Sequence, residues 1–388
     1  MTHPFFHRPF TRAVRLGGDA TWAVTRLAVR SSLVVPRLAA GALGRRLMPE
    51  VPAETVPAGR TVRLPGRGST FVVDVPGPTP DAPVVVLLHG LACTAYLNWF
   101  PVLGALSDRY RVVSFDQRWH GRGIVSERFR IEDCADDAVA VLDALGIDRA
   151  VLAGYSLGGF VAQETWHRHP DRVAGLVLAS TARNGQGTVQ ERLFFPVLAA
   201  TLNPVSRHAA ARVEQLAQSL PLTPDVHLTD LPSWGLAQVR STSGWAYPEV
   251  VNAVGHFDSS PWIGDVDVPT AVVVTEKDHA IPTRRQHKLA AAVPGARVFS
   301  APGGHASVVL DAARWLPVFE DALDDEDVGV RLHAVDRARR LLADAPDDLS
   351  AELLKHIPKQ VLITLKERTG FEVDQVQIEL IGRFAEKA

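Results

Sequence analysis

The chain has 388 residues, 46% of them apolar and 22% charged, with a formal net charge of -2. These proportions exclude a disordered chain, allow a large buried core and give no electrostatic reason to expect nucleic acid as a partner. Only two cysteines occur, Cys93 and Cys134, too few for a disulfide framework or a zinc cluster, so the expected setting is reducing and cytoplasmic.

Residues 1–60 read as a basic helical arm and a Pro-rich linker (Pro49, Pro52, Pro57). Up to Met48, eight arginines stand against one acid, Asp19. Arginines recur through the apolar stretch, which lacks the order of a secretory signal, and no apolar run reaches the roughly 18 residues needed to span a bilayer. On a helical wheel Arg12, Arg15, Arg26, Arg30 and Arg37 fall within an arc of roughly 60°. Such a stripe suits peripheral contact with anionic lipid, and equally solvent or pairing with the acidic C-terminus; these alternatives stay open.

From Thr61 the pattern changes. Thr61–Leu64 and Phe71–Val75 flank a Pro-Gly turn and read as an antiparallel hairpin at a sheet edge. Val84–Leu88, Arg111–Phe115, Ala150–Ala153, Gly175–Leu178 and Ala271–Val274 are short, continuous apolar runs, as strands buried on both faces require. Helical spacing lies between them, as in Ile131–Leu145, where Gly146 marks the stop. The alternation predicts an α/β layered fold with a mostly parallel central sheet and helices on both faces, its core divided into residues 61–182 and 266–322.

Across residues 183–265 the alternation stops, and an insertion of that length predicts a helical cap. Trp234, Trp245 and Trp262 in it suit the walls of an apolar substrate pocket, or equally the cap's own core. Residues 323–388 lie in an acidic stretch and read as a helical extension that packs on the main body or on a second subunit, as in a homo-oligomer.

Gly154-Tyr155-Ser156-Leu157-Gly158 falls where one strand ends and a helix, Phe160–His169, begins. A nucleophilic serine must protrude there on a sharp turn, and flanking glycines remove side chains that would collide. Serine needs a histidine to take its proton and a carboxylate to orient that histidine. Asp278 follows the Ala271–Val274 strand, and His305 follows a strand at Arg297–Ser300, before a helix around Val308–Phe319. Leu91, after the first core strand, and Leu157, after the serine, are placed to offer backbone N–H groups to a developing oxyanion. Glu276, Asp311 and Asp258 are rival acids. His89 is a rival base, though a histidine ending a buried strand more often braces its loop. His279 reads as a solvated loop residue and Cys93 as small loop packing.

The motifs HG at 89, DQRWHGRG at 116–123, GYSLGG at 154, EKD at 276 and GGH at 303 occur in the order found in the α/β-hydrolase superfamily, which residues 61–319 resemble. The resemblance implies a serine hydrolase of carboxylic esters with a small-molecule substrate and no metal or organic cofactor. An acyltransferase, a cofactor-free perhydrolase or a binding protein on the same fold are its alternatives. It further implies that Asp116, Arg118, Gly121 and Gly123 brace a loop. Trp119 departs from the pattern, standing where a glycine is frequent.

Overall fold

The computed structural model describes residues 56–186 and 247–324. The arginine-rich arm, most of the expected cap with Trp234 and Trp245, and the acidic extension beyond Asp324 lie outside these residues. The chain divides into two units, Met1–Ala322 and Leu323–Ala388, and the central sheet belongs to the first.

Eight strands form one sheet: β1 (Gly59–Leu64), β2 (Gly68–Val75), β3 (Val84–Leu88), β4 (Arg111–Phe115), β5 (Ala150–Tyr155), β6 (Val173–Ala179), β7 (Thr270–Thr275) and β8 (Arg297–Ala301). Their spatial order is β1-β2-β4-β3-β5-β6-β7-β8. β1 pairs antiparallel with β2, and β2 antiparallel with β4, so the hairpin forms the expected edge. All other pairings are parallel. Chain order reverses between β4-β3 and β3-β5, and such a reversal opens a crevice at the carboxyl ends of the strands.

Successive residues of a strand point to opposite faces. One face carries Val86, Leu88, Leu152, Leu176 and Val272 into a continuous apolar core. That core is closed by α2 (Ile131–Ala144), α3 (Leu157–Arg168) and α5 (Thr283–Ala290), while α4 (Tyr247–His256) leads back toward β7. A separate aromatic cluster joins α1 (Ala95–Leu103) to α7 (Ala312–Asp324): Trp99 lies 6.3 Å from Trp315 and 5.6 Å from Phe319, ring centre to ring centre. All three are fully buried, and truncating one such ring to alanine costs about 3–5 kcal/mol.

Two helices depart from the sequence expectation. The segment read as one helix from Val308 is two, α6 (Ser307–Leu310) and α7. Asp311 breaks the path at φ -137°, and its carbonyl then accepts the N–H groups of Arg314 and Trp315 as the next helix begins. The second, α3, starts directly after Ser156 and takes in Gly158 and Gly159. Its reason lies in the site. Among the described residues no helix is long and apolar enough to cross a membrane.

Candidate active site

Ser156 sits between β5 and α3 with φ 53° and ψ -112°, a strained backbone for a residue with a β-carbon, worth about 1–3 kcal/mol. The surroundings hold it there. Its N–H donates to Ala179 O (2.9 Å), and its carbonyl accepts from Gly159 N–H (3.0 Å) and the Thr181 hydroxyl (2.9 Å). A β-carbon at Gly158 would lie 2.0 Å from Leu88 O, and one at Gly154 would lie 2.3 Å from Gly158 O. Glycine in the first turn therefore lets the helix press against β3, which propensity alone reads as a loop. The positive end of the α3 dipole consequently faces the serine.

Asp278 and His305 reach the same rim from the ends of β7 and β8. His305 Nε2 lies 2.9 Å from Ser156 Oγ, and His305 Nδ1 lies 2.7 Å from Asp278 Oδ2. With Nδ1–H donating to the carboxylate, the tautomer that satisfies both contacts leaves Nε2 to accept the serine proton. Asp278 Oδ1 accepts the N–H groups of Ala280 and Ile281, both at 2.9 Å, and Oδ2 also accepts from Gln286 Nε2 at 3.0 Å. The Asp278 side chain has 0% exposure and that of His305 29%, so protons exchange with solvent through the imidazole.

Two residues that sequence reasoning missed hold this line in place. Gln286, on α5, donates to Asp278 and to Ile281 O (2.8 Å) and accepts Thr275 N–H (2.9 Å). Tyr155 donates its hydroxyl to the His305 carbonyl at 2.5 Å, with its ring 5.6 Å from the imidazole. Burial pushes the Tyr155 hydroxyl up from its ordinary value, which keeps the proton it donates. Gln286 lies three and four residues before Leu289 and Ala290 on one face of α5, and that spacing was a readable signal of burial, though not of its partners.

The loop after β3 passes over the serine, since a β-carbon at Gly90 would lie 3.5 Å from Ser156 Cβ. Asn98, also missed, accepts Gly90 N–H at 2.9 Å. It is the polar member of an otherwise apolar stretch, AYLNWF, and that contrast was a readable signal. Leu91 follows Gly90 in this loop. Leu157 opens α3, where first-turn N–H groups have no acceptor within the helix.

His89 braces this loop. Its Nε2 accepts Gln117 N–H (2.8 Å), its Nδ1–H donates to Gly90 O (2.8 Å), and its carbonyl accepts from the Gln117 amide. Burial, with His120 beside it, lowers its pKa well below the ordinary value. Burial likewise pushes the Cys93 thiol up to about 12, which removes the thiolate. Asp116 accepts the N–H groups of Ala95 and Arg122, both at 2.8 Å, and Arg118 pairs with Asp137 at 2.9 Å. Trp119 adopts φ 65°, a left-handed backbone that favours glycine. The indole compensates by donating to Ser126 O (3.1 Å) and packing on Phe129.

Glu276, His279 and Asp258 are exposed, and Asp311 contacts Arg314 at 3.3 Å; none joins the Ser156 line. Trp262 departs from the expected substrate contact. It stacks on His167 at 4.2 Å and lies 6.2 Å from Trp166, both in the last turns of α3, whereas Ser156 precedes the first. Its position in the chain suggested a cap residue, but the segment has already returned to pack on α3 at the edge of the core. Among the described residues no cluster of His, Cys, Asp or Glu is arranged to hold a metal.

A doubly wound sheet, a strained serine at the end of β5 and an acid-histidine pair at the ends of β7 and β8 define one class. The family model described as the α/β hydrolase fold matches residues 83–312, and the chain belongs to that family. Among curated relatives, it is 31% identical over 254 residues to the putative carbamate hydrolase RutD of Variovorax paradoxus (strain S110), covering 62% of this chain and 91% of the relative. It is 39% identical over 134 residues to epoxide hydrolase B of Mycobacterium tuberculosis (strain ATCC 25618 / H37Rv), covering 34% of this chain and 37% of the relative. Among solved structures, the enol-lactonase from Burkholderia xenovorans LB400 superposes with TM-score 0.55 at 23% identity, over 69% of this chain and all of that one (100%).

Proposed function

We propose that the protein is a serine hydrolase of carboxylic esters that works through an acyl-enzyme. The observation that carries this reading is the unbroken contact from Ser156 Oγ through the His305 imidazole to Asp278 Oδ2. Ser156 attacks the carbonyl carbon while His305 Nε2 takes its proton. Asp278 orients the imidazole and stabilises the imidazolium. The amides of Leu91 and Leu157 receive the oxyanion, a contribution of about 3–4 kcal/mol per donor in such sites. His305 then protonates the leaving alcohol, and a water molecule, deprotonated by the same nitrogen, releases the acid and restores Ser156.

The name of one relative, a putative carbamate hydrolase, supports acyl chemistry. Epoxide opening is disfavoured by the nucleophile itself. A serine oxygen adding to an epoxide gives an alkyl ether, which no water molecule at this site can cleave, whereas an acyl-enzyme is an ester and turns over.

Ser156→Ala tests the reading. Turnover of a short p-nitrophenyl ester should fall by about a thousandfold or more with the circular dichroism spectrum unchanged. Activity within a few-fold of wild type refutes it.

A further inference from the structure

The segment that leaves β6 and the one that returns toward β7 run antiparallel outside the Ser156 site. Ser259 N–H donates to Arg183 O (2.8 Å), Gly185 N–H donates to Phe257 O (2.9 Å), and Asn184 bridges to Asp258. These contacts make a fixed floor. Between that floor and α5 lies a cavity of about 570 Å³. Arg183, Arg284, Arg285 and Lys288 line it, with His256 beside them, and Asp258 is the one carboxylate among the described lining.

This excess of positive charge occurs in a chain whose net charge is -2. Like charges gathered in a concavity repel one another, so an anion entering relieves the repulsion. Among the described residues Arg183, Arg284 and Lys288 form no ion pair. Arg285 is oriented in advance, because its guanidinium donates to both the carbonyl and the side-chain oxygen of Asn184. Guanidinium forks match phosphate oxygens in pairs, and an ammonium such as that of Lys288 adds a mobile point charge.

We propose that this cavity binds a phosphate group, free or carried by a small polar alcohol, through Arg183, Arg284, Arg285 and Lys288. Its volume lies within the range of small-molecule sites and exceeds what phosphate alone fills. Residues 182–184, which leave β6, and residues 255–258, which return toward β7, both line the cavity with α5, so a bound phosphate would tie the two segments to that helix.

Isothermal titration of the full chain with inorganic phosphate and with glycerol phosphate, at constant ionic strength, tests this without reference to ester turnover. Saturable binding is expected, weakened about tenfold or more in a variant carrying Arg284→Glu and Lys288→Glu. Both side chains are exposed, so the fold tolerates the reversal. Arg128→Glu, an exposed arginine outside the cavity lining, should leave binding unchanged. Tighter binding of glycerol phosphate assigns a phosphate ester, and equal affinity assigns free phosphate. Absence of saturable binding, or equal affinity in the doubly reversed variant and wild type, overturns the proposal.

Discussion

Replacing Gln286 by glutamate tests whether this buried side chain governs the acid of the site. The change exchanges an NH2 group for an oxygen of nearly the same size, 3.0 Å from Asp278 Oδ2 and 2.8 Å from Ile281 O. Two ionised carboxylates at that separation repel by about 5 kcal/mol at an effective dielectric constant of about 20. The new carboxyl therefore retains a proton, which the pair shares, and the titration belongs to both groups. Its folded pKa lies above the unfolded value of about 4.3, so the variant keeps its stability below about pH 4.3 and loses it as pH rises through the folded pKa. Each unit of upward shift removes about 1.4 kcal/mol, or about 4 kcal/mol at pH 7 if the proton is still held there. Urea unfolding of variant and wild type between about pH 4.5 and 8 reads this as a widening gap. A gap that stays constant across that range refutes the argument.

Trp119→Gly relieves the left-handed backbone, a gain of about 1–2 kcal/mol, but deletes a buried indole at a cost of about 3–5 kcal/mol; thermal unfolding should show a net loss of about 2 kcal/mol. Burial lowers His120 to about 4, below its unfolded value of about 6.5. Its contribution is therefore complete above about pH 6.5 and is lost as pH falls toward 4, a drop of about 3 kcal/mol. His120→Gln should flatten the acid side of the stability curve by that amount, and an unchanged acid slope in urea titrations counts against the assignment.

Local sequence determined much of this protein because its constraints are steric and local. Val84–Leu88 and Ala271–Val274 are legible as strands since a strand buried on both faces admits little but apolar side chains. Gly154 and Gly158 are legible around Ser156 because a β-carbon at either position would meet backbone. Asp278 and His305 stand directly after strands, where the order of the chain already places them on one rim. Tertiary structure alone decided which polar groups meet inside. Gln286 shares the buried face of α5 with Leu289 and Ala290, which marks it as inward but does not say what it meets; its three partners belong to the end of β7 and the loop beyond it. Tyr155 likewise serves a histidine 150 positions away. Trp262 looked like a pocket wall in sequence, yet folding stacks it at the far end of α3. Periodicity records that a residue is buried, but the identity of its neighbours depends on strand order and helix placement, which long-range packing sets.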